Sequence, residues 1–306
     1  MAEQEKILVI KLGALGDFII ALGAMKTIRE HHPKAHITIL TTKAFKEFAQ
    51  KSDYFEDIWV DERLKLLQPL KWFDLRQKLN SRKFTRVYDL QNNDRTSIYF
   101  KLFSPKPEWI GTAKGASHYY DDPARTAGLA IDGLRLLLKH AGLPYINIDT
   151  MDWVETNLSK YNLKKPYALV VPGSAPSRPE KRWPKEKYAT LCQMLAAQNI
   201  QPVLIGTKDE KEITDYIASE CDEALDLNSQ TSLFDIITLG RNAKYAVGND
   251  TGPMHMIAPT GCACLTLFSS YSNATLSAPN GENAECLQVD DFNNLNPKEV
   301  FSKLIN

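Results

Sequence analysis

Cysteine is scarce in this chain. Five occur among 306 residues: Cys192, Cys221, Cys262, Cys264 and Cys286. An odd number at irregular spacing builds no disulfide framework, so all five are expected as reduced thiols of a cytoplasmic protein. Cys262 and Cys264 form a lone pair with no second pair and no histidines beside it, too little for a metal site. An excess of one charge is missing too, because 37 Lys and Arg balance 37 Asp and Glu. Without net charge there is no global field to gather nucleic acid. No apolar run approaches the length of a membrane span. The opening Met1-Ala2-Glu3-Gln4-Glu5-Lys6 lacks the basic-then-apolar pattern of a secretory leader. Repeats and low-complexity tracts are absent. So are two chemical signatures: the G-x-G-x-x-G of dinucleotide folds, and any pair of aspartates one residue apart, the D-x-D that holds a metal in many sugar transferases.

What is present is an ordinary globular composition, 43% hydrophobic and 24% charged, in a length that suggests two domains. The most informative stretch is Gly248-Asn249-Asp250-Thr251-Gly252-Pro253-Met254-His255. Tyr245-Ala246-Val247 before it reads as a short buried strand. Pro253 suits the first turn of a helix running to about residue 260. Free N–H groups at such an end, with the helix dipole, attract anions. Asp250 is itself an anion there, and the plain alternative is that Asp250 or Thr251 only caps the helix.

Residues 6–11 form a strand buried on both faces, as in parallel sheets. Leu12-Gly13-Ala14-Leu15-Gly16-Asp17 follows, then a helix over 18–31. A glycine-rich turn between first strand and first helix is a nucleotide-fold feature, but a carboxylate at its end would repel a pyrophosphate. The loop is therefore expected to present Asp17, unless Asp17 is merely an N-cap. Strands over 36–40, 57–60 and 85–90 come next, the last ending in the polar Gln91-Asn92-Asn93-Asp94-Arg95, and 108–111 reads as an edge strand. A helix within 123–142 carries the stripe Leu129, Leu134, Leu137 and Leu138; His118 and His140 stand alone and read as structural. Segment 63–86 holds Arg63, Lys65, Lys71, Arg76, Lys78, Arg82, Lys83 and Arg86 against Asp74 alone, with Leu66, Leu67, Leu70, Trp72 and Phe73 interleaved. This mixture suits a membrane surface or an anionic acceptor, with Arg63, Arg76 and Arg82 as candidate contacts. The alternative is a solvated helix whose apolar side faces the core.

The pattern restarts with a strand at 167–171, a breaker-rich loop from Pro172-Gly173 to Lys181-Arg182-Trp183-Pro184, a helix to about residue 199 and a strand at 202–205. Gly206-Thr207-Lys208-Asp209-Glu210 turns into further helix, and a strand at 264–268 closes the series. Two βα series imply an α/β fold of two doubly wound, Rossmann-like domains, 1–165 and 166–306, parting near Lys164-Lys165-Pro166. The last helix is a candidate to return to the first domain. The default site is the cleft between domains.

Four motifs stand in this order: the Lys11-to-Asp17 loop, the Pro172-to-Pro184 loop, the Gly206-to-Glu210 turn and Asn249-Asp250-Thr251-Gly252-Pro253 with His255. Together, over about residues 6–268, they resemble the bacterial ADP-heptose:lipopolysaccharide heptosyltransferases, glycosyltransferase family 9, of GT-B architecture. The resemblance implies that Asp17 is the catalytic base, and that Ser174 and Lys181 hold the donor diphosphate, with Ala175 where some members carry a second hydroxyl. It implies that Glu210 takes the ribose, and that Asp250, Thr251, Gly252 and His255 contact donor sugar and phosphate. It further implies inverting transfer of heptose from ADP-heptose to an anionic glycolipid acceptor, by a monomeric enzyme in the cytoplasm, with peripheral contact at the inner membrane's cytoplasmic face.

The chemistry fits. An acceptor hydroxyl attacking an anomeric carbon must lose its proton to a base such as a carboxylate. The nucleoside diphosphate leaving group needs fixed cations or dipoles, and Lys181 with the helix end after Asp250 supplies them without metal or other cofactor. Rivals remain open at this stage: a same-fold enzyme using another nucleotide sugar, an epimerase included; a nicotinamide-dependent oxidoreductase, disfavoured by the missing fingerprint; and a silent binding protein.

Overall fold

Short apolar runs bounded by glycine, proline and polar turns become strands, and each is followed by a helix that covers it. The computed structural model describes residues 4–65 and 67–305, so Leu66 and the opening Met1-Ala2-Glu3 lie outside the described residues. Contacts divide the chain into two compact units, Met1–Asp149 and Thr150–Asn306.

In the first unit the strands are β1 (Lys6–Ile10), β2 (His36–Thr41), β3 (Asp57–Val60), β4 (Arg86–Asp89), β5 (Glu108–Gly111) and β6 (His118–Tyr119). The helices are α1 (Leu15–His31), α2 (Lys46–Lys51), α3 (Pro69–Ser81), α4 (Asp94–Leu102) and α5 (Ala130–His140). The parallel sheet has the order β3-β2-β1-β4-β5-β6, so the winding reverses between β1 and β4. Helix α1 packs with α5, and α3 with α4. One core joins Leu8, Ile10, Val87 and Trp109 of the sheet to Leu79, Tyr99 and Phe100 of α3 and α4. The strand expected at the edge, β5, is interior, because the two-residue β6 pairs beyond it. Helix α1 starts at Leu15, not at Phe18, which brings Asp17 inside its first turn, where a negative charge is favourable.

The second unit repeats the plan with β7 (Tyr167–Val171), β8 (Gln201–Leu204), β9 (Leu225–Asp226), β10 (Tyr245–Asn249), β11 (Ala263–Phe268) and β12 (Ala284–Gln288). Its helices are α6 (Lys185–Ala197), α7 (Lys211–Glu220), α8 (Leu233–Asn242), α9 (Gly252–Ile257), α10 (Ala274–Ser277) and α11 (Pro297–Ile305). From one edge the parallel sheet reads β9-β8-β7-β10-β11-β12, the same order as the first, with the reversal between β7 and β10. Strand β12 lies beyond β11, which was expected to end the series; its half-exposed residues form no apolar run. Residues 150–165 group with this unit, ahead of the boundary read near Lys165. Lys160 pairs with Asp235 at 3.0 Å, the Tyr161 hydroxyl donates to Gln230 O at 2.9 Å, and Arg241 donates to Val154 O at 2.7 Å. Helix α11, the candidate to return to the first domain, groups with the second unit: it contacts α6, β10 and β11 and buries Val300 and Leu304 in that unit's core.

Candidate functional site

Ligands of doubly wound sheets sit outside the carboxyl ends of the strands where the winding reverses. In the second unit that place lies beyond β7 and β10. Asn249, the last residue of β10, is fully buried. Its Nδ2 donates to Pro172 O at 2.8 Å and to Gly173 O at 3.2 Å. Its Oδ1 accepts from the Trp183 N–H at 3.0 Å and from the Tyr188 hydroxyl at 3.0 Å. One side chain thus ties both ends of the Pro172–Pro184 loop to β10 and leaves the next residue, Asp250, facing that loop.

The Asp250 carboxylate accepts from Lys181 Nζ at 2.6 Å, with side-chain exposures of 9% and 18%. Lys181 closes the short 3₁₀ turn Pro179–Lys181. Thr251 is the N-cap of α9 and makes no side-chain cap bond. Neither residue, then, is explained by capping: Asp250 is committed to the lysine and Thr251 leaves its hydroxyl available beside Gly252. His255 lies one turn into α9, half-buried.

Ser174 is buried, donates to Arg178 O at 2.8 Å and accepts from Arg182 Nε at 3.1 Å, while Arg182 Nη2 donates to Ser174 O at 3.1 Å. Its hydroxyl shapes the loop from within; Ala175 next to it is exposed. Glu210 arrives from the turn after β8. Its Oε2 accepts from the Thr207 N–H at 2.9 Å and the Thr207 hydroxyl at 2.7 Å, a capping arrangement, and its Oε1 lies 3.8 Å from Arg182 Nη2. The two loops touch at Gly173, where a Cβ would come within 2.6 Å of Glu210 Cγ, so only glycine fits. Ser174, Lys181, Glu210, Asp250, Thr251 and Gly252 are therefore brought to one end of one sheet. Asn249 and Arg182 belong with them, although the sequence reading assigned them no role. The signal for Arg182 was its place between Lys181 and Trp183; for Asn249 it was a polar residue ending an apolar strand.

In the first unit the corresponding place holds Asp17. The loop before it is pinned on several sides. The Leu12 N–H donates to Gln91 Oε1 at 2.8 Å, Arg63 Nη2 donates to Leu12 O at 2.9 Å, and Lys11 Nζ donates to Leu90 O at 3.2 Å. Gly13 has φ +124°, and a Cβ there would meet the Phe45 ring at 2.9 Å, so a side chain is excluded twice over. Asp17 is exposed and accepts from the Ala14 N–H at 3.3 Å from within the first turn of α1. Behind it Asp89 is fully buried and accepts from the Gln91 and Asn92 N–H groups at 3.1 and 2.9 Å. Burial pushes the Asp89 carboxyl up to about 6, against the pull of Thr96, its backbone donors and Lys11. Burial likewise lowers Lys11, opposed by the charges of Asp17 and Asp89.

The three arginines are not brought together. Arg63 is at the Asp17 loop, with its own N–H held by Asp61 Oδ1 at 2.5 Å. Arg76 points outward from α3. Arg82 follows α3 and pairs at 2.7 Å with Asp57, which also holds His36 at 2.8 Å. His36 and Asp57 begin β2 and β3, so Arg82 sits at the amino end of the sheet, opposite Asp17.

Among the described residues no group of three or more His, Cys, Asp or Glu side chains has the spacing to hold a metal ion. All five cysteines are unpaired, and burial pushes Cys262 and Cys264 up to about 12, which keeps them protonated and inert. No helix of the described residues is long and apolar enough to cross a membrane.

Residues 72–303 match the family described as glycosyltransferase family 9 (heptosyltransferase). The chain is 23% identical over 292 residues to the lipopolysaccharide core heptosyltransferase OpsX of Haemophilus influenzae, covering 89% of this chain and 80% of that one. It is 31% identical over 140 residues to lipooligosaccharide heptosyltransferase 2 of the same organism, 42% of this chain and 40% of the relative. The solved structure of Escherichia coli ADP-heptose lps heptosyltransferase II superposes with a TM-score of 0.79 at 19% identity, over 97% of each chain, which gives the fold as GT-B.

Proposed function

The chain belongs to glycosyltransferase family 9, the heptosyltransferases, and from that premise we propose that it moves a heptose from ADP-heptose to a lipopolysaccharide core acceptor, with inversion and without a metal. The glycosyltransferase activity itself comes with the family. The donor and acceptor follow the names of its relatives, a lipopolysaccharide core heptosyltransferase and an ADP-heptose heptosyltransferase. The observation that carries the proposal is the Lys181–Asp250 pair at the winding reversal of the second unit. It fixes an ammonium where a leaving diphosphate develops charge, and a positioned cation does there what a divalent ion does in other transferases. Thr251 and Gly252 stand beside the pair to receive the donor sugar and phosphate, with His255 behind them, and Glu210 is placed on the neighbouring loop for the ribose. Ser174 and Arg182 keep the loop in shape. The second unit is thus the donor half, and the first unit, with Asp17, the acceptor half.

Asp17 takes the proton from the attacking hydroxyl, a task that needs an exposed carboxylate on a rigid loop. One base and a single displacement give inversion at the anomeric carbon. Arg63, held at the same loop, is a cation placed for an anionic acceptor, with Arg76 farther along α3. Arg82 is spent on Asp57 and is not assigned to the acceptor. Five unpaired thiols accord with work in the cytoplasm. We take the enzyme to act as a monomer.

The test is product analysis with ADP-heptose and a heptose-free core lipopolysaccharide in excess chelator, beside parallel reactions with other nucleotide sugars. Transfer of heptose with inverted anomeric configuration is expected. Turnover of a different nucleotide sugar in place of ADP-heptose would overturn the donor assignment, and activity lost to chelator and restored by magnesium would overturn metal independence.

A further inference from the structure

Helix α3 has one apolar stripe that its unit uses and a second that it does not. Trp72, Leu75 and Leu79, at helical spacing, face the core, with Leu79 fully buried. Leu70 and Phe73, one turn apart on a different face, are 80% and 57% exposed. Leu67, in the turn before the helix, is 94% exposed. Three large apolar side chains in seven residues, all turned outward, are not the stray surface hydrophobes of a folded protein, and such patches mark contact surfaces. The Trp72 indole N–H donates to Lys65 O at 3.0 Å, and the Lys65 N–H donates to Gln68 Oε1 at 3.0 Å.

Charge and position name the occupant. Lys65, Lys71, Arg76 and Lys78 share the segment with the patch against Glu62 and Asp74, Lys78 lying over the Trp59 ring. Lys71 holds Glu62 only at 3.5 Å, and Lys65 and Arg76 make no ion pair among the described residues. Exposed apolar side chains with lysine and arginine on the same segment fit the boundary between headgroups and acyl chains of an anionic bilayer. The patch lies where β3 gives way to α3, at the carboxyl end of the first sheet. Its loop is stapled to the Asp17 loop by Arg63 on Leu12 O. We infer that Leu67, Leu70 and Phe73 dock this unit on an anionic lipid surface, with Asp17 on the same end of the sheet as the membrane. The use of that docking, to reach an acceptor carried by lipid, rests on the proposed function; the docking itself does not.

The test is co-sedimentation of the full chain with vesicles of phosphatidylcholine containing about 30% phosphatidylglycerol, and with pure phosphatidylcholine. Binding to the anionic vesicles is expected, weakened by salt and by Lys65→Glu, roughly fivefold for each charge removed. Leu67→Ser/Leu70→Ser/Phe73→Ser should lower the partition coefficient at least about tenfold, while its melting curve and ADP affinity stay those of the wild type. Those two controls separate lost docking from lost folding. Absence of wild-type binding, or equal binding by the triple variant, overturns the inference. So does a concentration-dependent dimer, without vesicles, that the triple variant abolishes, for then the patch seats a second copy. A failed vesicle assay leaves the sugar-transfer proposal standing, and failed heptose transfer leaves vesicle binding intact.

Discussion

Replacing Asn249 by Asp changes one NH₂ to O and tests how the donor loops are held. The wild-type Nδ2 serves two carbonyls, Pro172 O at 2.8 Å and Gly173 O at 3.2 Å, in a fully buried position. A carboxylate there faces two oxygens with no proton to give, so it is held protonated. The neutral acid still costs about 1–2 kcal/mol, because its single O–H serves one carbonyl and leaves the other bare. Keeping it neutral costs about 1.4 kcal/mol for each pH unit above its unfolded value of about 3.9. The deficit is therefore bounded near 7 kcal/mol at pH 8 and near 3 kcal/mol at pH 5, roughly, and has a floor of about 1 kcal/mol. The sign follows from proton counts: the folded variant has the raised value, binds more protons than its unfolded chain, and loses stability as pH rises. Urea unfolding of wild type and variant at both pH values measures it, with ADP affinity on the folded fraction as the functional readout. A variant as stable as wild type at pH 8, or a deficit that grows on acidification, would refute the view that Asn249 ties the loop to β10.

Asp17→Asn keeps an acceptor for the Ala14 N–H, so the melting temperature should move only a few degrees, while kcat falls by about 10²–10⁴-fold; a kcat within a fewfold of wild type removes Asp17 as the base. Lys181→Ala leaves the mostly buried Asp250 carboxylate unmatched and should cost about 3–5 kcal/mol as well as ADP affinity. Adding Asp250→Asn should restore much of the stability and not the affinity, and recovery of ADP binding in that double variant would reduce Lys181 to a structural role. Asp89, raised from 3.8 to about 6, binds more protons folded than unfolded between those values, so its stabilising contribution is lost as pH rises through them. Asp89→Asn has no such titration, and its stability relative to wild type should improve by about 2 kcal/mol from pH 4 to pH 7. A gap that does not change with pH would show that Asp89 does not titrate there.

Much of this was legible in the chain because local and global signals agree. Strands β1, β7 and β10 are apolar on both faces, since both faces are covered, and so they stand out as runs. Asp250 follows such a strand directly, and Asp17 and Lys181 lie in the loops that leave β1 and β7; position after a strand is what a linear sequence records best. Charge counting across residues 63–86 does not separate Arg82, paired with Asp57, from Arg63 at the Asp17 loop, because composition carries no direction. A helix of 13 residues is about 20 Å long, so its two ends serve opposite ends of the sheet. Strand β12 escaped notice because half-exposed residues dilute the alternation that announces a strand. Asn249 escaped because a polar residue at a strand end reads as turn, and only the folded chain shows that both ends of a loop converge on it.

The loop ahead of Asp17 also bears on how the protein could be redesigned. Gly13 rests against Phe45, and Phe45 stacks on Phe18 with ring centroids 4.5 Å apart. Phe18 is the residue after Asp17, so a side chain at 13 is transmitted through two rings to the backbone that aims the carboxylate. A library randomised over this loop would return glycine at 13 and an aromatic at 45 whatever substrate was selected for, because any other pair moves the base before it alters recognition. Positions 67, 70 and 73 are exposed and belong to a different part of the unit. A search for altered surface preference belongs there, where variation leaves the aim of Asp17 alone.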